Sequence, residues 1–166
     1  MLGEKDSRTV SSEGERTRPS AIRDVEVIKL HNVLTRSGTL TEVFRSTWFK
    51  DIKLEQVNWV EMNSNGVTDW HCHYRQTDRL IGLNGIIKLC LFDARPNSTT
   101  KGVAEIFRMG IVSPTLVIVP KGVWHGLRNE SGQQAGYLNV IDQLYDHSDP
   151  DNFRLPFDSR DIPVAL

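Results

Sequence analysis

Three of the chain's five histidines fall in two short segments, and with one carboxylate they are the residues best placed to do chemistry. The first segment runs from Gly66 to Gly85 and carries His71, His73 and Asp78; the second runs from Pro120 to Asn129 and carries His125. Side chains of a strand alternate between its faces, so His71 and His73 project the same way, about 7 Å apart. Two imidazoles on one face can converge on one ion or one substrate. Cys72, between them, turns to the opposite face and into packing. The Pro120-Lys121-Gly122 turn sets the approach of His125 to the same cavity. Three imidazoles and a carboxylate suit a divalent transition metal such as Fe, Mn, Ni or Zn. The same groups serve equally well as a base or as hydrogen-bond donors to a ligand.

The elements that must position these residues read as short strands separated by turns. Residues 1 to 22 are polar and charged and read as a disordered or extended arm; a single domain follows over 23–166. Strands are expected over 25–30, 38–44, 52–62, 71–74, 79–92 with a hairpin at Gly85, 105–109, 115–119 and 135–141. Residues 150–157 read as a short helical or irregular tail. No stretch of three or more turns shows helical periodicity. Many short strands at this spacing indicate an all-β sandwich or barrel, and a double-sheet jelly roll is the specific expectation.

With 166 residues and a formal net charge of −1, the chain has no electrostatic reason to bind nucleic acid or an anionic membrane. No apolar run approaches the ~18 residues that a membrane span needs. The first residues lack the apolar region of a secretory signal. The two cysteines, Cys72 and Cys90, read as reduced, buried thiols in a cytoplasmic protein. A phosphate-binding loop, a nucleophile elbow and a paired-cysteine redox motif are all missing. The acidic run Asp146-His147-Ser148-Asp149-Pro150-Asp151 reads as a hydrated loop. Lys88 sits in an apolar run, either snorkelling or touching substrate. Trp70 and Trp124 flank the histidines and either pack or stack on a base or sugar.

The two histidine segments resemble the paired motifs of a cupin barrel: His-x-His, an acid and a glycine, then Pro-x-Gly-x-x-His, three residues and Asn. Asp78 stands where cupins usually carry a glutamate. More of the chain resembles the dTDP-4-dehydrorhamnose 3,5-epimerase branch. Gly38-Thr-Leu-Thr-Glu42-Val-Phe44 is similar to its Gly-Phe-Phe-x-Glu strand, and Gln56-Val-Asn58 to its Gln-x-Asn. His73-Tyr74 followed by Gln76 is similar to its Leu-His-Tyr-Gln. The stretches from Gly85 to Asp93 and from Ile118 to Gly126 match two further segments in order, and the likeness runs from about residue 34 to 160.

The resemblance implies a proton-transfer enzyme acting next to a keto group of a deoxy-keto sugar nucleotide, with no metal or cofactor required. It implies His73 as the general base and Asp158 as its orienting partner; the place of the acid tyrosine falls on Asn139, so Tyr145 or Tyr137 is the candidate proton donor. Gln56, Asn58, Trp70, Arg79, Lys88, His125 and Asn139 are the implied substrate contacts, Arg79 or Lys88 supplying the cation that stabilises an enolate. A homodimer through exchanged N-terminal strands is implied as well. The chain departs from the pattern where Ser37-Gly38 replaces Arg-Gly, Trp70 replaces an arginine, Asn139 replaces the acid tyrosine and His71 replaces a glycine. His71 keeps a second reading open, a metal-dependent cupin with ligands His71, His73, Asp78 and His125. A third is a carbohydrate-binding cupin without catalysis.

Overall fold

The central strands are buried on both faces, whereas the edge strands keep one face toward solvent. The computed structural model describes residues 20–49 and 53–166; the expected arm over 1–19, and Ile52 at the start of its expected strand, lie outside them. One antiparallel sheet has the order β1 (Glu26–Lys29), β9 (Thr115–Val119), β6 (Asp78–Asn84), β11 (Ala135–Ile141), β4 (Gln56–Met62). The other has the order β12 (Phe153–Leu155), β5 (Trp70–Cys72), β10 (Val123–Asn129), β7 (Ile87–Asp93), β8 (Ala104–Met109). A separate hairpin, β2 (Asn32–Thr35) and β3 (Gly38–Thr41), pairs with neither. This is the two-sheet jelly roll expected from the sequence, and no α-helix occurs among the described residues.

The main core lies between the sheets and joins Leu80, Val117 and Tyr137 of the first to Leu89, Phe107 and Leu127 of the second. Ile22, counted with the arm by its polar neighbours, is buried in this core, and the Ser20 hydroxyl donates to Glu105 at 2.6 Å. Each sheet also buries the outer face of its central strands. Ile81, Leu116, Ile118 and Val140 are covered by Leu30 and Phe49, while Trp70 and Cys90 lie beneath Ile162 and Leu166 of the C-terminal tail. The short tail strand β12, expected to be helical or irregular, pairs with β5; three residues are too few to show a period of two. No described helix is long and apolar enough to cross a membrane.

Two turns carry the geometry that matters later. Gly85 closes the β6–β7 hairpin at φ 67°, a left-handed backbone that glycine adopts without strain. Gly122 sits at φ 80° in the turn before β10, and its N–H donates to the His73 carbonyl at 2.7 Å. That bond ties the end of β5 to the turn that presents His125. Asn129 closes the other end of β10, its amide donating to the carbonyls of Asn63 (2.9 Å) and Gln133 (2.6 Å).

Asp93, fully buried at the end of β7, anchors the following loop. Its carboxylate accepts from Arg95 Nε at 2.9 Å, Ser98 Oγ at 2.6 Å and Thr100 Oγ1 at 2.7 Å. Burial alone would raise this carboxyl, but these donors outweigh it and hold it well below the usual carboxylate range. Removing the carboxylate strands the buried end of Arg95, so Asp93→Ala should cost about 3 kcal/mol and lower the melting temperature by on the order of 10 °C. Because the folded-state pKa is depressed, this contribution is complete above the unfolded value of about 3.9 and is lost as pH falls further. Thermal unfolding from pH 7 to 3 should therefore show a constant gap between wild type and variant that narrows below about pH 4.

Candidate active site

The site is built where one end of the two sheets brings three imidazoles around one carboxylate. His71 on β5 and His125 on β10 are direct partners across an antiparallel ladder. Their ring centroids are 4.0 Å apart. His73 lies one residue beyond β5 on the same face as His71, its ring 5.6 Å from His71 and 5.5 Å from His125. Trp70 and Cys72 take the opposite face, as alternation requires. Asp78, the first residue of β6, approaches from the facing sheet. Its Oδ2 lies 3.0 Å from His125 Nε2 and 3.5 Å from His73 Nε2, and its Oδ1 accepts from Gln76 Nε2 at 2.7 Å.

Each imidazole has one nitrogen committed to the backbone. Nδ1 of His71 meets the Asp69 carbonyl at 3.2 Å, Nδ1 of His125 meets the Val123 carbonyl at 3.1 Å, and Nδ1 of His73 meets the Asp151 carbonyl. A carbonyl only accepts, so in each ring Nδ1 carries the proton and donates it. That leaves Nε2 of His71 and His73 available for chemistry, while Nε2 of His125 is engaged by Asp78 Oδ2. Asp151 holds its own carbonyl in place through its carboxylate, which accepts the N–H groups of Tyr74 (3.0 Å) and Arg75 (2.6 Å).

Burial, and then the neighbouring His125, push His71 well below the usual imidazole range, which keeps it neutral near pH 7. Burial would raise the Asp78 carboxyl, but its hydrogen bond with His125 and the surrounding histidines more than reverse this and hold it well below the carboxylate range. Burial and the charge of Asp78 push the Tyr137 phenol up to about 12, so it stays protonated near neutral pH. Cys72, raised to about 11 chiefly by burial, is no nucleophile here. Nitrogen or oxygen ligand atoms of His71, His73, Asp78 and His125 all lie within 4.8 Å of one another, so these four could hold a metal.

The structure sorts the residues named from sequence. His71, His73, Asp78 and His125 come together. Gln56, Asn58 and Asn139 join them on the inner face of the first sheet: Asn58 and Asn139 are direct partners across β4 and β11, and Gln56 Nε2 donates to Asn58 Oδ1 at 2.8 Å. Tyr145 lies in the loop after β11, 43% exposed, its N–H donating to Gln56 Oε1 and its ring against His147. Tyr137 is buried in the core on the same face as Asn139 and within the field of Asp78.

Four expectations are corrected. Asp158 is exposed in the tail and does not orient His73; the Asp151 carbonyl and the Asp78 carboxylate are the partners instead. Trp70 is fully buried on the outer face under Ile162 and Leu166. Lys88 points to that same outer face, where its Nζ donates to the Ala165 carbonyl at 2.8 Å. Arg79 lies on the outer face of the first sheet, its guanidinium 5.3 Å from the Phe49 ring, 3.6 Å from Asp142 and donating to the Thr77 carbonyl. Trp124 also packs on the outside. Sequence reasoning passed over Gln76 and Asp151 as site residues. Gln76 lies two residues before Asp78 in the segment leading into β6, a short spacing that is a readable signal; Asp151 reaches His73 across 78 residues and leaves none.

No family model matches the chain. It is 33% identical over 139 residues, 82% of its length and 89% of the relative's, to the probable low-salt glycan biosynthesis epimerase Agl13 of Haloferax volcanii. Its fold is similar to that of a dTDP sugar isomerase from Desulfovibrio desulfuricans, with TM-score 0.81, 20% identity and coverage of 87% of this chain and 92% of that one. It is also similar to that of dTDP-4-dehydrorhamnose 3,5-epimerase from Bacillus anthracis, solved with TDP and pyrophosphate bound, with TM-score 0.75, 16% identity and coverage of 85% and 83%.

Proposed function

The chain belongs to the dTDP-4-dehydrorhamnose 3,5-epimerase-like branch of the cupins, and from that membership we propose an epimerase or isomerase that moves a proton next to a keto group of a sugar nucleotide. The observation that carries the reading is the state of His73. Its Nδ1–H is engaged by the Asp151 carbonyl, its Nε2 is a bare lone pair, and the Asp78 carboxylate stands 3.5 Å away. That is a base in the correct tautomer with a counter-charge ready for the imidazolium it becomes.

The reaction follows from the groups around it. His73 Nε2 takes a proton from the carbon next to the ketone, and the C–H electron pair moves through the new double bond onto the keto oxygen. The enolate oxygen needs a donor. Arg79 and Lys88 lie outside, so the amide groups of Asn58 and Asn139 take this role. Tyr137, held in its protonated form, returns a proton to carbon from its own side of the sugar ring, and the electron pair goes back to re-form the ketone. Gln56, Asn58 and Asn139 supply the polar wall that a hydroxylated sugar requires. Sugar-nucleotide binding without any solvent exchange would instead point to the non-catalytic carbohydrate-binding alternative.

The same reading includes a homodimer. Val57 and Trp59 project from the edge strand β4 at 60% and 68% exposure, and the detached β2–β3 hairpin presents Leu34 at 85%. Exposed apolar groups on an edge strand and on an unpaired hairpin favour a protein partner over water. The free, buried Cys72 and Cys90 support work in a reducing compartment such as the cytoplasm.

Incubated in D2O with dTDP-4-keto-6-deoxyglucose, the wild-type protein should place deuterium at carbons flanking the ketone, read by NMR. His73→Gln should slow this by about 10²–10⁴-fold, whereas Tyr137→Phe should retain exchange and lose net conversion. Undiminished exchange in His73→Gln would remove His73 as the base. In sedimentation, Trp59→Asp should shift a wild-type dimer to monomer; a wild-type monomer would remove the dimer from the account.

A further inference from the structure

Arg79 is a cation with no place in the proton-transfer scheme, yet it is only 1% exposed. Burying a guanidinium is costly unless it is paired, and even a buried pair adds little stability over apolar side chains of similar volume. The groups it touches are informative. Arg79 Nη1 donates to the Thr77 carbonyl at 3.2 Å, and Nη2 lies 3.6 Å from Asp142 Oδ2. Asp142 Oδ1 in turn accepts the Thr77 N–H at 2.9 Å. Two charged side chains therefore hold both backbone polar groups of one residue. The register brings them together: Ile141 is the partner of Asp78 and Val140 of Arg79, so Asp142, the next residue, comes opposite Thr77.

Thr77 separates Gln76 from Asp78. Gln76 Nε2 donates to Asp78 Oδ1 at 2.7 Å, while Asp78 Oδ2 lies 3.0 Å from His125 Nε2 and 3.5 Å from His73 Nε2. Thr77 lies one residue before β6, where the sheet ladder no longer holds the backbone. Neither Gln76 nor Asp78 can turn without turning a peptide plane on one side of Thr77. Phe49 lies over the guanidinium, 5.3 Å from ring centroid to Cζ, and stacks on Phe44. Shielding from water strengthens the interaction of the two charges. Asp142 also opens the segment that leads to Asp151, whose carbonyl meets His73 Nδ1. Both partners of the His73 ring are thus referred to the same anchor.

We propose that Arg79 and Asp142 are positioning residues: from the outer face of the first sheet they fix Thr77, and through it the Gln76–Asp78 pair that sets His73 and His125. The proposal rests on the reading of His73 as the base. The contribution of the pair is orientation, which a buried ion pair can supply without adding net stability. A displacement of the reacting groups by about 1 Å costs on the order of a hundredfold in rate, so a support behind the sheet matters as much as a contact inside it.

The test separates orientation from stability. The full-length double variant Arg79→Met, Asp142→Leu replaces the pair by apolar side chains and should melt close to wild type. Its deuterium incorporation into dTDP-4-keto-6-deoxyglucose should nevertheless fall on the order of a hundredfold, in kcat with KM little changed. Arg79→Met, Asp142→Asn keeps an acceptor for the Thr77 N–H and should lose only about tenfold; it carries the test if the first variant does not fold. The carboxyl carbon-13 resonance of Asp78, assigned with Asp78→Asn and recorded on metal-free protein at one neutral pH, reports the geometry independently of turnover. It should move in both double variants. A folded double variant with wild-type exchange, or with an unmoved Asp78 resonance, overturns the proposal. If the wild-type protein exchanges no deuterium, the epimerase reading falls, while a moved Asp78 resonance in the variants still supports the pair as the support of that carboxylate.

Discussion

The buried carboxylate of Asp78 is the point on which the rest of the site depends. A lone carboxylate between two apolar sheets would be severely destabilising. It is tolerated because Gln76 donates to one oxygen and His125 and His73 converge on the other. Those imidazoles can converge because β5 and β10 pair in a register that sets His71 opposite His125, and because the Gly122 N–H draws the end of β5 against the turn before β10. Asp151 completes the frame from far along the chain, gripping the loop after His73 with its side chain and the His73 ring with its carbonyl. Much of this rigidity acts on the orientation of three Nδ1–H groups, which determines what three Nε2 atoms can do.

That arrangement serves two kinds of chemistry with the same lone pairs. A base needs Nε2 free and a counter-charge nearby; a metal ligand needs Nε2 free and neighbours at ligand spacing. The family to which the chain belongs supports the first use, and the crowding of unprotonated nitrogen around Asp78 supports the second. His71 makes the difference: its ring packs 4.0 Å from His125 and supplies a third imidazole beyond the two that touch Asp78.

The jelly roll and the inner histidine face were legible because one rule suffices for each. Short alternating or apolar runs between turns give strands, and a spacing of two gives a shared face, so His71, His73 and the opposed Cys72 could be placed from sequence. The same rule failed for Trp70, Arg79 and Lys88. Both faces of β5, β6 and β7 are buried, the outer ones beneath the C-terminal tail or the segment around Phe49, so an apolar neighbour says nothing about which face looks into the cavity. A charged residue in such a strand can reach an outer-face carbonyl, as Lys88 does with Ala165. The exchange of Asp158 for Asp151 has another cause. A contact spanning most of the domain carries no local pattern, and only the pairing of β12 with β5 brings that part of the tail to His73. Tyr137, a candidate donor from the resemblance, is buried in an apolar strand on the same face as Asn139 and within the field of Asp78.

The central claim is that backbone carbonyls hold all three imidazoles with the proton on Nδ1. The most direct measurement is a long-range proton–nitrogen correlation spectrum of metal-free, nitrogen-15-labelled protein at neutral pH, with His71, His73 and His125 assigned by substitution. The account predicts a proton on Nδ1 in each of the three, with a bare Nε2 in His71 and His73. A proton on Nε2 with a bare Nδ1 in His73 would contradict it, because such a ring could neither donate to Asp151 nor offer the Nε2 lone pair that a base needs.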